Sequence, residues 1–417
     1  MARTKKTFGA LRASDLVAIA SLVKVIPVAS IHAAMASCSK ATIRKRKLSM
    51  EFLIYFVIFL SIYASYSTSE VLKYVLNGMD DILPNDSPGT ACEAAISQGR
   101  TRLGEETMHV LFKNICRPLA DPHHSKPWAF YKGHRLVGID GSEIDLQDVE
   151  AIRKEYPVAN EGKENEHPCP KLRFNAVMEL GTRAIFDAEI AMPCDENGKR
   201  KKICAKDDSE VTLADALLAR LESGLLILGD RLYPSPRFLL PVVARGSNFL
   251  VRAKSNMNLA PIEYLKDGSY LAELERRPDK HHGSVKMTVR VIEYCIYDKK
   301  GKIVGEGRLI TSLMDADLYP ADELAKLFHE RWEVEIGYAE LKTYIMDGAL
   351  DNLRSKTPVL ARQEFWGWLL AHYLVRKTIY EAAEMSARDP DDISFTGTIQ
   401  IIRRHMGAAI FPPKEKC

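Results

Sequence analysis

The chain is 417 residues long, enough for two or three domains. Its 46% hydrophobic and 27% charged residues exclude a disordered or fibrous protein. The net charge of +3 is unevenly spread: residues 1–47 carry ten Lys and Arg against the single acid Asp15, a local +9 that leaves −6 for the remainder. A basic head on a mildly acidic body suits a polyanionic partner, with a solvated basic tail as the plain alternative. Eight cysteines are scattered without a Cys-x-x-Cys pair. His167 and Cys169 come nearest to a metal-binding cluster, and they read better as two unrelated loop residues. Reduced thiols in a cytosol are expected.

The first third reads as helical. Asp15 to Ala36 is apolar with a break at Pro27, and Leu48–Ala64 contains the run FLIYFVIFL. That run extends over roughly 13 residues, short of the ~20 needed to cross a bilayer, so a buried core helix is expected and a membrane anchor is the lesser reading. The basic residues Arg44–Lys47 ahead of it resemble a positive-inside flank. Ser67 with Glu70, and Thr90 with Glu93, have the spacing of capping boxes that open two further helices. The loop between them, with Pro84, Pro88 and Gly89, is longer than a strict helix-turn-helix allows.

After Pro127 the pattern changes to alternating strand and helix. RLVGI at 135–139 is a short strand that runs into Asp140-Gly141, with residues 143–146 expected to return as its hairpin partner. Leu172–Glu179, Ala184–Met192, Leu225–Leu228 and Phe249–Ala253 read as strands and Val211–Leu221 as an amphipathic helix. Residues 257–306 read as a β-rich insertion: Val285, Met287, Val289 and Val291 alternate with polar residues, and Asp298–Gly301 looks like a turn. Arg308–Leu313 returns to strand, and a long helix is expected from about Ala321 to Tyr344. Thr357 and Pro358 fit the N-cap and first position of the next helix, which carries Trp366, Leu369, Leu370 and Tyr373.

Two acids sit where a buried strand ends, Asp140 and Asp230. Carboxylates at the ends of neighbouring strands can converge on a divalent cation, although Asp-Gly and Gly-Asp are also ordinary turn sequences. A third ligand would come from the long helix, FHERWEVEIGYAELK. At ~100° per residue, Phe328, Arg331, Glu335 and Lys342 share an arc of about 60°, next to an apolar stripe of Leu327, Val334, Leu341 and Ile345. An i,i+4 surface pair between Arg331 and Glu335 is the plainer account, but it leaves Lys342 on the same arc unexplained.

The order Phe328-x2-Arg331-x3-Glu335-x6-Lys342 resembles the Tyr-x2-Arg-x3-Glu-x6-Lys signature of bacterial insertion-sequence transposases of family four. IDGS at 139–142 and LGDRLY at 228–233 resemble that family's two catalytic-Asp motifs. ARGSNFLVRAK at 244–254, LRSKTP, RQEFWGWLLAHY and the segment from KRKLSMEFLIYF to SQGRTRLG resemble neighbouring blocks, so the likeness covers roughly residues 15–405. It implies an α/β fold: a ribonuclease-H-like catalytic core with a β-rich insertion and an α-helical N-terminal domain. The division expected is a DNA-binding domain at 1–125, core at 126–256 and 307–390, insertion at 257–306, and a C-terminal helix and tail at 391–417.

The resemblance further implies cut-and-paste transposition at terminal inverted repeats. Asp140, Asp230 and Glu335 would be catalytic and metal-ligating, holding two Mg2+ ions with Mn2+ able to substitute. Arg331, Lys342 and Phe328 would lie at the DNA phosphates. Double-stranded DNA would be the substrate, released through hairpin ends, and a homodimer would pair two ends. The setting would be the bacterial cytoplasm, on the nucleoid, with no membrane partner. One departure stands out: Phe328 replaces the signature tyrosine, and its ring can pack but cannot donate a hydrogen bond. The alternatives are an inactive or repurposed DNA-binding relative and a metal-dependent nuclease without strand transfer.

Overall fold

The strands of the central region form one mixed sheet. In the computed structural model they are β1 (Phe130–Tyr131), β2 (His134–Asp145), β3 (Lys171–Glu179), β4 (Ala184–Ile190), β5 (Leu225–Gly229), β6 (Asn248–Arg252), β7 (Pro261–Tyr264), β8 (Tyr270–Arg276), β9 (Val285–Tyr297) and β10 (Ile303–Thr311). The structure describes residues 24–40, 48–79, 92–124, 126–156, 169–192, 210–276, 283–297, 303–345 and 352–408. Most of the basic head, His167, Thr90, the 84–89 loop and the 298–301 turn lie outside the described residues.

The sheet order is β4-β3-β2-β5-β6-β10-β9-β8-β7, with β1 paired to β2. β2, β3 and β4 are antiparallel neighbours, whereas β5 runs parallel to β2 and β6 parallel to β5. This is the ribonuclease-H-like arrangement expected from the resemblance. β5 reads LLILG and is buried throughout, the pattern of a parallel strand covered on both faces. The core beneath it includes Val137, Ile139, Leu217, Ile227, Phe238 and Phe249. The strands of the insertion do not form a separate sheet: β10 pairs antiparallel with β6, Thr311 opposite Leu250, and β9, β8 and β7 follow it outward.

The hairpin expected at Asp140-Gly141 is not formed. β2 continues straight through to Asp145, and residues 141–145 pair with Asn175 back to Lys171 on β3. A two-residue hairpin turn needs left-handed backbone, and Gly141 is not among the glycines with positive φ. The long helix is also not uniform. It is α-helical over Ala321–Leu327, tightens to a 3-10 turn at Phe328–Arg331, resumes as Trp332–Ala339 and loosens to a π turn at Glu340–Ile345. The tight turn contains no buried side chain, so no apolar face holds it to the 3.6-residue period. The constant 100° step therefore does not carry from Phe328 to Lys342.

The chain divides into two compact units, residues 117–339, and residues 1–116 together with 340–417. In the second of these, the Met50–Ile62 helix opens on Ser49, whose hydroxyl accepts the Phe52 N–H, and is buried nearly all round. It packs against the 29-residue helix Pro358–Ser386, where Gly367 has no room for a side chain beside Val57. Arg354 donates to the carbonyls of Leu60, Tyr63 and Tyr66, satisfying groups that a helix end leaves open. Ser67 and Glu70 form the expected capping box, each side chain accepting the other residue's N–H. Among the described residues no helix is long and apolar enough to cross a membrane.

Candidate active site

The parallel register of β2 and β5 ends with Gly138 opposite Leu228. Asp140 and Asp230 each lie two residues beyond that pair, so both acids stand just past the same end of the parallel β2–β5 pairing. The helix carrying Glu335 crosses β2 close by. A Cβ on Gly138 would come within 2.1 Å of Val334, so the glycine lets helix and strand meet. Gly337 admits Met178 of β3 in the same way. The Tyr338 hydroxyl donates to the Asp140 carbonyl at 2.6 Å, and Arg183 pairs with Glu333.

Arg331 donates from its guanidinium to Glu335 Oε1 at 2.9 Å, and its charge favours the ionised form of Asp140. It also sits 5.9 Å from the Phe328 ring and 5.5 Å from that of Trp332, within cation–π range of both. Asp230 accepts the N–H of Arg231 at 2.6 Å, and its side chain is 37% exposed. Lys342 is half-buried in the π turn and belongs to the other unit.

The sequence reading missed one acid, Glu210, at the start of the helix Glu210–Leu218. Its Oε1 accepts the Gly141 N–H at 3.1 Å and the Tyr233 hydroxyl at 2.7 Å. Asn175 donates to the Glu210 carbonyl and to the Tyr233 oxygen, both at 3.0 Å. Burial and the neighbouring Glu210 carboxylate raise the Tyr233 phenol well above its ordinary range, so it stays protonated and donates. The available signal was Gly141 itself, because a glycine inside a strand often marks a close approach by another group. Here a Cβ would sit 2.5 Å from Glu210 Cγ.

Burial, followed by the Glu210 charge, pushes the Asp140 carboxyl up to about 7, against the Gly141 N–H and Arg331. Two carboxyl groups this close repel unless a proton or a cation lies between them. The donors are all hard carboxylate oxygens, which fit Mg2+ or Mn2+ better than zinc. Among the described residues no three His, Cys, Asp or Glu side chains are already grouped around a common metal position. A cavity of about 790 Å3 is lined by Arg231, the residue after Asp230, and by Arg252, Lys254 and Arg308 together with Glu293 and Glu306.

Comparison with known proteins bears on the family. Residues 16–113 match the family described as insertion element 4 transposase N-terminal, and residues 200–374 match the transposase DDE domain. The chain is 28% identical over 381 residues to the transposase InsG for insertion sequence element IS4 of Escherichia coli K12, covering 90% of this chain and 80% of that protein. It is 23% identical over 240 residues to the putative transposase InsZ of the same organism, covering 57% and 73% of the two chains. A piggyBac transposase synaptic complex with hairpin DNA covers 96% of this chain and 83% of its own at a TM-score of 0.43 and 10% identity, too slight a likeness to bear on mechanism. None of these relatives favours a DNA-binding protein without catalysis. The chain belongs to the insertion element 4 family of DDE transposases, enzymes that cleave DNA and transfer its strands with the help of divalent metal ions.

Proposed function

We propose that this transposase cuts at the terminal inverted repeats of its own insertion sequence and joins the freed ends to target DNA, with Asp140, Asp230 and Glu335 as its catalytic acids. The observation that carries the assignment is the meeting of strands and helix: Asp140 and Asp230 lie just past the same end of the β2–β5 pairing, and the helix that crosses β2 there carries Glu335, held by Arg331.

These three carboxylates would hold two Mg2+ ions, with Mn2+ able to substitute. When bound, such ions supply Lewis acidity toward the attacking and leaving oxygens of an in-line displacement. Arg331 orients Glu335 through its hydrogen bond, and its remaining N–H groups suit a phosphate oxygen. Lys342 would supply a second cation to the DNA backbone, and the Phe328 ring would pack at the scissile phosphate. The Arg231, Arg252 and Lys254 cavity suits the phosphates of the same duplex. End recognition falls to the helical segment 1–125 and its basic head, and a homodimer would pair the two ends. Acting on DNA, the protein would work in the bacterial cytoplasm.

The test uses the purified protein and a duplex carrying the element's ends. Asp140→Ala, Asp230→Ala and Glu335→Ala should each abolish cleavage in Mg2+ while still shifting the duplex on a gel in Ca2+. Cutting at the normal rate by any one of the three would sink the assignment.

A further inference from the structure

We propose that Glu210 is a positioning residue that ties the β2 segment around Asp140 to the segment that follows β5 at Asp230, so that both carboxylates meet the same cations. The inference rests on the assignment of Asp140 and Asp230 as metal-holding acids and adds a residue that lies outside the family signature.

Glu210 is the only described side chain whose carboxylate bonds both segments. Toward β2, its Oε1 accepts the Gly141 N–H, the same amide that Asp140 Oδ1 accepts at 3.0 Å. The peptide following Asp140 is therefore held by two carboxylates at once. Toward β5, Oε1 accepts the hydroxyl of Tyr233, whose own N–H closes a turn onto the Asp230 carbonyl at 3.1 Å. Sliding one segment past the other strains the bonds to Glu210.

The surroundings hold Glu210 still. Asn175, fully buried and directly opposite Gly141 on β3, donates to the Glu210 main-chain carbonyl and to the Tyr233 oxygen. The Tyr233 ring is buried against Phe238 at 5.0 Å between centroids. Gly141 completes the fit, since any larger residue would displace Glu210. Partners of this kind, one bond removed from the ligands, typically alter metal affinity by about 10- to 100-fold when lost.

The discriminating feature is that glutamine can accept both bonds that glutamate accepts, while alanine accepts neither. The measurement is Mn2+ binding to the full chain without DNA, followed by the electron paramagnetic resonance of free Mn2+, alongside single-turnover cleavage and thermal melting. Glu210→Ala should weaken Mn2+ binding by about 10- to 100-fold and slow cleavage in parallel, while Glu210→Gln restores both to within about threefold of wild type. Tyr233→Phe, which removes one of the two bonds and keeps the ring, should fall between them; if Glu210→Ala does not fold, this variant decides. Wild-type Mn2+ affinity in Glu210→Ala or in Tyr233→Phe would overturn the proposal. Equal losses in the Ala and Gln variants would overturn it too, because charge rather than bonding would then be what matters. Asp140→Asn separates the underlying assignment: if it binds Mn2+ like wild type, Asp140 holds no metal and the catalytic reading fails first.

Discussion

Asp140 and Glu340 are both acids carried into apolar surroundings, and they have opposite company. Glu340 is 2% exposed, accepts from Arg376 Nε at 2.7 Å and from a second Arg376 nitrogen, and lies 3.4 Å from His372 Nε2. Burial alone would raise its carboxyl, but His372 and Arg376 outweigh burial and leave it below its ordinary value. Asp140 has a second acid, Glu210, beside it, and its carboxyl rises to about 7. A buried acid with matched cations is a fixed part of the architecture. A half-buried acid held against another acid is poised for a positive charge from outside the chain, and unfavourable placement of this kind gathers at working sites.

The largest expected effect is a reversal of stability and activity between the two acids. Glu340→Gln should lower unfolding free energy by about 3–5 kcal/mol, because it strands the buried Arg376. Asp140→Asn should abolish cleavage and leave the metal-free protein at least as stable as wild type. Chemical denaturation with a cleavage assay checks both; equal destabilisation by the two substitutions would erase the distinction.

A second pair of substitutions adds one oxygen to each region. Phe328 lies beside Arg331, and Phe395 lies 5.4 Å from Arg376. Phe328→Tyr would place a phenol at the half-open active site, where a hydrogen bond to a charged group is worth ~1.5–3 kcal/mol. Single-turnover cleavage should rise roughly ten- to a hundred-fold if the bond forms mainly in the transition state. Phe395→Tyr forces the same hydroxyl into the packed surroundings of His372 and Arg376, and should cost about 1–3 kcal/mol of stability with no gain in rate. An unchanged cleavage rate in Phe328→Tyr would mean that the ring only packs.

The smallest effect is in the pH dependence of the metal-free protein. Glu340 binds its proton less tightly folded than unfolded, so its stabilisation is full above about pH 4.5 and is lost as pH falls through its lowered value. Asp140 has the opposite sign: folded at about 7 against 3.8 unfolded, it makes stability fall as pH rises between those values. Each tenfold difference in proton affinity is about 1.4 kcal/mol, and solvent screening at this partly open site discounts the total to on the order of 1–2 kcal/mol. Urea melts from pH 4 to 8 should lose that downward slope in Asp140→Asn and keep it in Glu340→Gln.

Local chemistry in the sequence was enough for much of this. Ser67 with Glu70, and Thr357 before Pro358, mark helix starts because caps depend on neighbours within a few residues. The apolar runs at 135–139 and 225–228 locate β2 and β5, and with them Asp140 and Asp230, two of the three acids proposed as catalytic. Where the partner came from far along the chain, the sequence was silent or misleading. Asp140-Gly141 reads as a turn until β3 and Glu210 are known to occupy both sides of it. The broken winding of the Glu335 helix leaves no trace in a period counted at constant pitch, because the Phe328–Arg331 turn buries no side chain while the next stretch packs Val334 and Gly337 on β2 and β3.

The junction of β6 with β10 has a consequence for synthesis. Leu250 and Val251 have β5 on one side from early on, but their other partners, Thr311 and Ile310, emerge from the ribosome only after the whole insertion. Until then a hydrophobic strand next to both aspartates presents unpaired N–H and C=O groups, the template on which foreign strands add. A message cut short within the insertion therefore yields a product that lacks Glu335 and carries a self-associating edge. Such fragments should leave solution as aggregates instead of surviving as soluble competitors of the full-length enzyme.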